Sequence, residues 1–145
     1  MDGAIQQGGS LMNNTTSATL ETGIFLETPV ASFTPATIID SLVGAVRTNL
    51  RAFSTVVNAS ETMCSMIAED HAALLSHLDQ NGVAYQEQTF VIVPVSDTQG
   101  AALAVMQQIT DANINVHSCF STIFNGSFAL VLSTADNKAA LRLLK

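Results

Sequence analysis

Basic side chains are nearly missing from this chain. Of its 145 residues only five are Lys or Arg (Arg47, Arg51, Lys138, Arg142 and Lys145), against 12 Asp and Glu, for a formal net charge of −7. Residues 52–137 contain no Lys or Arg at all. A nucleic-acid surface is therefore not expected, because neutralising phosphates requires clustered cations. Adsorption to an anionic membrane through a basic patch fails for the same reason. Tryptophan is absent and aromatic residues make up 6% of the chain. An RNA-stacking sheet needs basic and aromatic residues on its central strands, where the second half offers Phe120 and Phe124 with no cation beside them. Long hydrophobic runs are missing too. The run over residues 90–95 is six long and contains Pro94, and none is longer, whereas a membrane helix needs roughly 20 apolar residues and a signal-peptide core roughly 7–15. No membrane partner is expected. The acidic start, Met1-Asp2, lacks the basic residues of a secretion signal, so the two cysteines, Cys64 and Cys119, are not read as a disulfide framework. The chain reads as cytoplasmic, and the sequons at Asn58 and Asn125 as chance matches. No Gly-rich phosphate loop, Ser-centred elbow or His-Glu-x-x-His motif occurs, and no cofactor is implied.

What is present is a repeat within a chain that is 48% apolar. A gapless shift of 67 residues lays Phe53-Ser54-Thr55-Val56-Val57-Asn58 on Phe120-Ser121-Thr122-Ile123-Phe124-Asn125, and His71-Ala72-Ala73-Leu74 on Lys138-Ala139-Ala140-Leu141. Between positions 53 and 75, nine of 23 residues are identical to their partners, well above chance, so the two halves are expected to share one fold.

Each half gives the same order of elements. In the second, residues 90–95 form a β-branched run stopped by Pro94, Asp97 and Gly100, which predicts a buried strand. Ala102, Val105, Met106, Ile109 and Ala112 follow at helical spacing. Residues 116–124 are extended, Asn125-Gly126 predicts a type I′ hairpin turn, residues 128–132 return as a strand, and Asp136 caps a last helix carrying Ala140, Leu141 and Leu144. In the first half, Ile24-Phe25-Leu26 is the strand and Ile38, Ile39, Leu42, Ala45 and Val46 the helix stripe. A hairpin then turns at residues 58–61, and a helix striped by Leu74, Leu75 and Leu78 ends at Asn81-Gly82. Each half is thus β-α-β-β-α-β, an α+β fold of two ferredoxin-like units whose antiparallel sheets carry helices on one face.

The expected organisation is a disordered tail over residues 1–15, a first unit over residues 16–82 and a second over residues 83–145. The second unit ends inside its last helix, so its fourth strand is missing. The same shift places residues 16–22 opposite residues 83–89, which predicts that the N-terminal segment crosses over to complete the second unit's sheet. Sheets with one helix-free face, in so apolar a chain, predict a homodimer.

The strand ending in Pro94-Val95-Ser96-Asp97-Thr98-Gln99-Gly100, the helix closing on Ala112-Asn113-Ile114-Asn115-Val116, and the hairpin followed by Ala135-Asp136-Asn137-Lys138-Ala139 resemble an ACT domain. The first half is similar in layout, through Phe25-Leu26-Glu27-Thr28, Thr48-Asn49-Leu50-Arg51 and Glu69-Asp70-His71-Ala72. The whole, residues 16–145, resembles the stand-alone tandem ACT proteins and, less closely, the paired ACT regulatory region of aspartate kinases. The resemblance implies a non-catalytic sensor that binds an amino acid at an interface between units and acts on a regulated enzyme. The family's ligand loop carries over to Asp97, Gln99, Gly100 and Ala101, with Asn113, Ile114 and Asn115 as the opposing wall. A helix N-terminus approached through glycine suits a carboxylate, and Asp97 suits an ammonium. The corresponding first-half loop, residues 29–35, has neither acid nor glycine, so no ligand is expected there. Without a cation in residues 52–137, a ligand carboxylate must be held by backbone N–H groups and by amides such as those of Gln99 and Asn115. That favours a small zwitterion over a phosphate or a dicarboxylate.

Other candidates have plainer readings. His117 and Cys119 share a strand face, with Cys64 on a neighbouring hairpin, but these are too few groups for a metal, and i, i+2 side chains stand parallel instead of converging on a nucleophile–base pair. His71 and His77 are six apart on one helix and are expected to face solvent. Glu69-Asp70 marks a helix start, and Met63, Met66 and Met106 are core. No catalytic residue and no metal ligand is assigned. Two functions remain: an amino-acid-responsive regulatory module, and a structural or partner-binding ferredoxin-like dimer that uses an exposed sheet edge or face and takes no small ligand.

Overall fold

A computed structural model of the chain describes residues 18–29, 49–96 and 98–144. The expected tail at residues 1–15, the helix expected at Ile38 and its neighbours, most of the loop before it, and Asp97 lie outside the described residues. The elements are β1 (Thr19–Pro29), β2 (Leu50–Asn58), β3 (Glu61–Ala68), α1 (His71–Gln80), β4 (Gln86–Pro94), α2 (Ala101–Asp111), β5 (Val116–Phe124), β6 (Ser127–Thr134) and α3 (Asn137–Leu144). The hydrogen-bonded strand order is β2-β3-β1-β4-β6-β5.

The chain divides into two units. One is Thr22–Gln88; the other joins Thr89–Lys145 to the described residues before Thr22. The divisions fall between Glu21 and Thr22 and between Gln88 and Thr89, where the sequence suggested one boundary between residues 82 and 83. Two strands, β1 and β4, therefore each run from one unit into the other.

In the Thr22–Gln88 unit, β3 pairs antiparallel with β1 on one side, Ile24 opposite Met66, and with β2 on the other. Because side chains alternate across a strand, Ile24 and Leu26 share a face with Cys64 and Met66, and Leu74 and Leu78 of α1 close that face as a core. The hairpin turns on Ala59-Ser60, between the paired residues Asn58 and Glu61. Helix α1 begins at Asp70, whose carboxylate accepts the Ala73 N–H at 3.0 Å, a cap that contributes about 1 kcal/mol. It ends where Gly82 takes φ +66° and Val83 N–H returns to Leu78 O at 3.0 Å. His71, expected to face solvent, is half-buried, and its Nε2 lies 2.8 Å from Glu87 Oε1.

In the Thr89–Lys145 unit, β6 pairs antiparallel with β4 and with β5. Val91, Val93, Leu130 and Leu132 supply one face of the core; Val105 and Ile109 of α2, Ala140 and Leu144 of α3, and Ala18 close it. The other parity of the same strands is buried as well, with Phe90, Ile92 and Val131 at 0–2% exposure. These positions of β4 and β6 are thus not free for assembly, and the exposed large apolar side chains on strands, among the described residues, are Leu20 on β1, Val56 and Val57 on β2, and Ile123 on β5. Asn125 and Gly126 take φ +54° and +82°, the pair of positive angles that the type I′ turn requires. The Asp136 carboxylate caps α3 by accepting Ala139 N–H at 3.0 Å. Asn137 Oδ1 accepts from Thr134 N–H and Oγ1, while its Nδ2 donates to Thr89 O at 2.8 Å, tying the start of β4 to the end of β6.

Among the described residues both halves run from a strand through a hairpin to a capped helix, but not in the register that the identities indicate. The first strands are 67 residues apart, Ile24 opposite Met66 and Val91 opposite Leu132. From there on the offset is 66, since the hairpins turn on Ala59-Ser60 and Asn125-Gly126 and the helix caps are Asp70 and Asp136. Under that offset Phe53 corresponds to Cys119, each opposite a core residue of the partner strand, Met66 and Leu132. Phe53 and Phe120, matched by the shift of 67, occupy opposite faces, because a slip of one residue in a strand inverts its parity.

Candidate functional site

The described residues of the loop from β4 into α2 hydrogen-bond among themselves. Ser96 Oγ lies 2.8 Å from Thr98 Oγ1, and Ala101 N–H donates to Thr98 O at 3.1 Å. Gly100 occupies the N-cap of α2 at φ +84°, a left-handed conformation that only glycine adopts without strain. A Cβ built there meets nothing within 4 Å, so the glycine answers to its backbone angle and the space above it is open. With no side chain, Gly100 makes no cap hydrogen bond. The Ala102 and Leu103 N–H groups then lack an acceptor among the described residues, whereas α1 and α3 each receive a carboxylate at this place. Unsatisfied N–H groups and the positive end of the helix dipole make this the end of α2 suited to an anion. Gln99 is exposed beside it, and Ala101 packs partly against the core. Asp97, the expected ammonium partner, lies outside the described residues.

Asn113, Ile114 and Asn115 sit at the other end of the same helix. Asn113 takes φ +60° and closes α2, its N–H reaching Thr110 O at 2.9 Å, while Ile114 N–H returns to Ile109 O at 3.2 Å. That is a helix stop in which asparagine fills the left-handed position usually held by glycine. Asn115 O accepts the Ala135 N–H at 2.9 Å. With 11 residues in α2 and about 1.5 Å of rise per residue, roughly 16 Å separates the two ends. Within this unit, Asn113, Ile114 and Asn115 do not face Gly100, and the opposing wall expected of them is not assembled there. Instead Asn113 and Ile114 border a groove that also holds Arg142, a residue from beyond the Lys- and Arg-free stretch that no reading of local sequence connects to them.

The thiols have no catalytic setting. His117, Cys119, Ser121 and Ile123 alternate on the exposed side of β5, parallel and not convergent. Cys64 is fully buried, with Sγ 3.1 Å from Thr55 Oγ1. Burial raises the pKa of Cys64, partly opposed by the Thr55 hydrogen bond, and partial shielding raises that of Cys119. Neither is an activated thiolate. A disulfide-exchange reagent at pH 8 is expected to titrate Cys119 in the native protein and Cys64 only after unfolding; equal rates for the two would contradict the burial of Cys64. Since both shifts are upward, stability holds below the ordinary thiol value of 9.0 and declines as pH rises above it. Among the described residues no three His, Cys, Asp or Glu converge as metal ligands, and no helix is long and apolar enough to cross a membrane.

No model of a known protein family matches the chain, and no curated protein does. Solved structures do. Protein BT0572 from Bacteroides thetaiotaomicron superposes with a TM-score of 0.76 at 16% identity, covering 88% of each chain. The ligand-free regulatory subunit of aspartate kinase from Thermus thermophilus superposes at 0.59 with 15% identity, over 88% of this chain and 93% of that one. A structure of the aspartokinase alpha and beta subunits superposes at 0.57 with 12% identity, over 88% and 93%. At such identities the likeness is one of fold: the chain has the paired ACT-type, ferredoxin-like architecture of aspartate kinase regulatory subunits.

Proposed function

We propose that the protein is a non-catalytic regulatory module that binds a small zwitterion, an amino acid, at the loop over residues 96–101. The observation that carries this reading is the glycine-capped N-terminus of α2, where the Ala102 and Leu103 N–H groups find no acceptor among the described residues and a Cβ at Gly100 would meet nothing within 4 Å. The ligand's carboxylate takes the Ala102 and Leu103 N–H groups, and Asp97 with Gln99 holds its ammonium. Since Asn113, Ile114 and Asn115 lie at the far end of α2, the second wall is contributed by another unit or by a second copy in a homodimer. Occupancy then favours one placement of the bodies over others, which is the coupling a regulated enzyme would read. The fold shared with regulatory subunits of aspartate kinase supports this reading.

A thermal-shift screen against the twenty amino acids tests it. A ligand at 100 times its dissociation constant adds about 2.7 kcal/mol, which for a chain of this size raises Tm by about 5–10 °C. Asp97→Ala is expected to remove the shift without lowering the basal Tm. Silence with all twenty leaves the ligand-free assembly reading ahead, and an undiminished shift in Asp97→Ala moves the site elsewhere.

A further inference from the structure

The groove between the closing turn of α2 and the outer side of α3 has a volume of about 520 Å³, within the range of small-molecule sites. Ala112, Ala135 and Ala139 make its floor shallow-sided and roomy, and Ile114 and Leu143 give it apolar flanks. Its cation is Arg142. In a chain with 12 carboxylates and five basic residues, an arginine is expected to find an acid, yet Arg142 makes no hydrogen bond or ion pair with any described residue. The carboxylate that shares the groove, Asp136, is engaged as the cap of α3 through Ala139 N–H at 3.0 Å. The groove therefore joins an apolar bed of alanines to a planar guanidinium that has no partner among the described residues and whose fork matches a carboxylate in two parallel hydrogen bonds.

We propose that this groove binds a small aliphatic carboxylate, with its carboxylate on Arg142 and its hydrocarbon body against Ala112, Ala139, Ile114 and Leu143. The site is distinct from the loop at Gly100 and does not rest on it, since the two lie at opposite ends of α2. It also supplies what the loop lacks, a basic side chain, so a ligand need not carry an ammonium to be held here. The scarcity of cations makes the site local: the net charge of −7 repels anions at long range, and only the bidentate contact draws one in.

Amide chemical shifts of the full chain, followed during titration with isovalerate, L-leucine and isoamylamine, test the proposal. The three probes share a branched hydrocarbon body and differ in bearing a carboxylate, a carboxylate with an ammonium, or an amine alone. Isovalerate and leucine are expected to move the Asn113, Ile114, Ala135 and Ala139 amides saturably, and isoamylamine to leave them in place. Arg142→Gln abolishes the response and Arg142→Lys weakens it about tenfold, because a lysine cannot form the bidentate pair. Both variants keep the wild-type Tm, as Arg142 is exposed and pairs with none of the described residues. Asp97→Ala leaves the titration unchanged, which separates failure here from failure at the loop. Equal movement with isoamylamine, an unaltered response in Arg142→Gln, or silence of these amides toward isovalerate each overturns the assignment.

Discussion

Phe90→Ala is expected to lower the unfolding free energy by about 3–5 kcal/mol, roughly a third or more of what holds a domain of this size together. Phe90 has 0% exposure and is among the largest fully buried side chains in the protein. It opens the buried run of β4, followed by Val91, Ile92 and Val93 at 0–2% exposure. Cutting the ring to a methyl group removes its transfer free energy and leaves a cavity that a doubly covered strand cannot collapse to fill. Leu103→Ala is the matched control. Leu103 lies on α2 with 68% of its surface exposed, so its truncation should shift stability by no more than about 0.5 kcal/mol. Urea unfolding of both variants provides the comparison, and a midpoint for Phe90→Ala near that of Leu103→Ala would mean that the face opposite the helices is open in solution.

Local physics in the sequence was legible where one residue decides one conformation. Asn125-Gly126 makes the hairpin turn, Gly82 stops α1, Asp136 starts α3, and the Val105 and Ile109 stripe points into the core, all as their chemistry predicts. While the ACT likeness came from the resemblance, the order of elements and the ferredoxin-like fold class followed from these. The register did not. Identities at an offset of 67 drew Phe53 onto Phe120, whereas the hairpins repeat at 66, and neither composition nor periodicity reveals where one residue has been lost between two strands. The site was legible only in part for a related reason. Gly100 was legible as a turn residue after the strand, and the resemblance placed it in a ligand loop; its positive φ came only with the structure. The distance from Gly100 to Asn113 is set by the length of α2, which was itself readable, but a resemblance carried the two over as walls of one site without asking from which body each comes. Arg142 was missed because its neighbours Asn113 and Ile114 are remote in sequence and meet it only when α3 packs beside the end of α2. The stretch without Lys or Arg thus limits the Gly100 loop and not the groove.

Removing residues 1–21 is expected to weaken the Thr89–Lys145 unit while sparing the core of the other. Ala18 is 3% exposed and packs with Val91, Val93, Leu130 and Leu132, far from it in sequence, and the first residues of β1 group with that unit and not with the strand's own continuation. The same strand further along places Ile24 and Leu26 in the core of the Thr22–Gln88 unit, and these residues survive the truncation. The sequence-level expectation of a crossing N-terminal segment thus turns into a measurable asymmetry. Losing the buried Ala18 side chain and about two or three strand hydrogen bonds at roughly 1 kcal/mol each costs about 3 kcal/mol in one unit. Native-state hydrogen exchange resolves this residue by residue: protection of the Val93 and Leu132 amides should fall by about a hundredfold, since about 1.4 kcal/mol corresponds to each factor of ten, while Cys64 and Met66 keep theirs. Full protection of Val93 and Leu132 in the truncated chain would show that β4, β5 and β6 hold their core without the preceding segment. Equal loss at Cys64 and Met66 would show instead that the two units unfold as one, and that the strands running between them transmit the whole penalty.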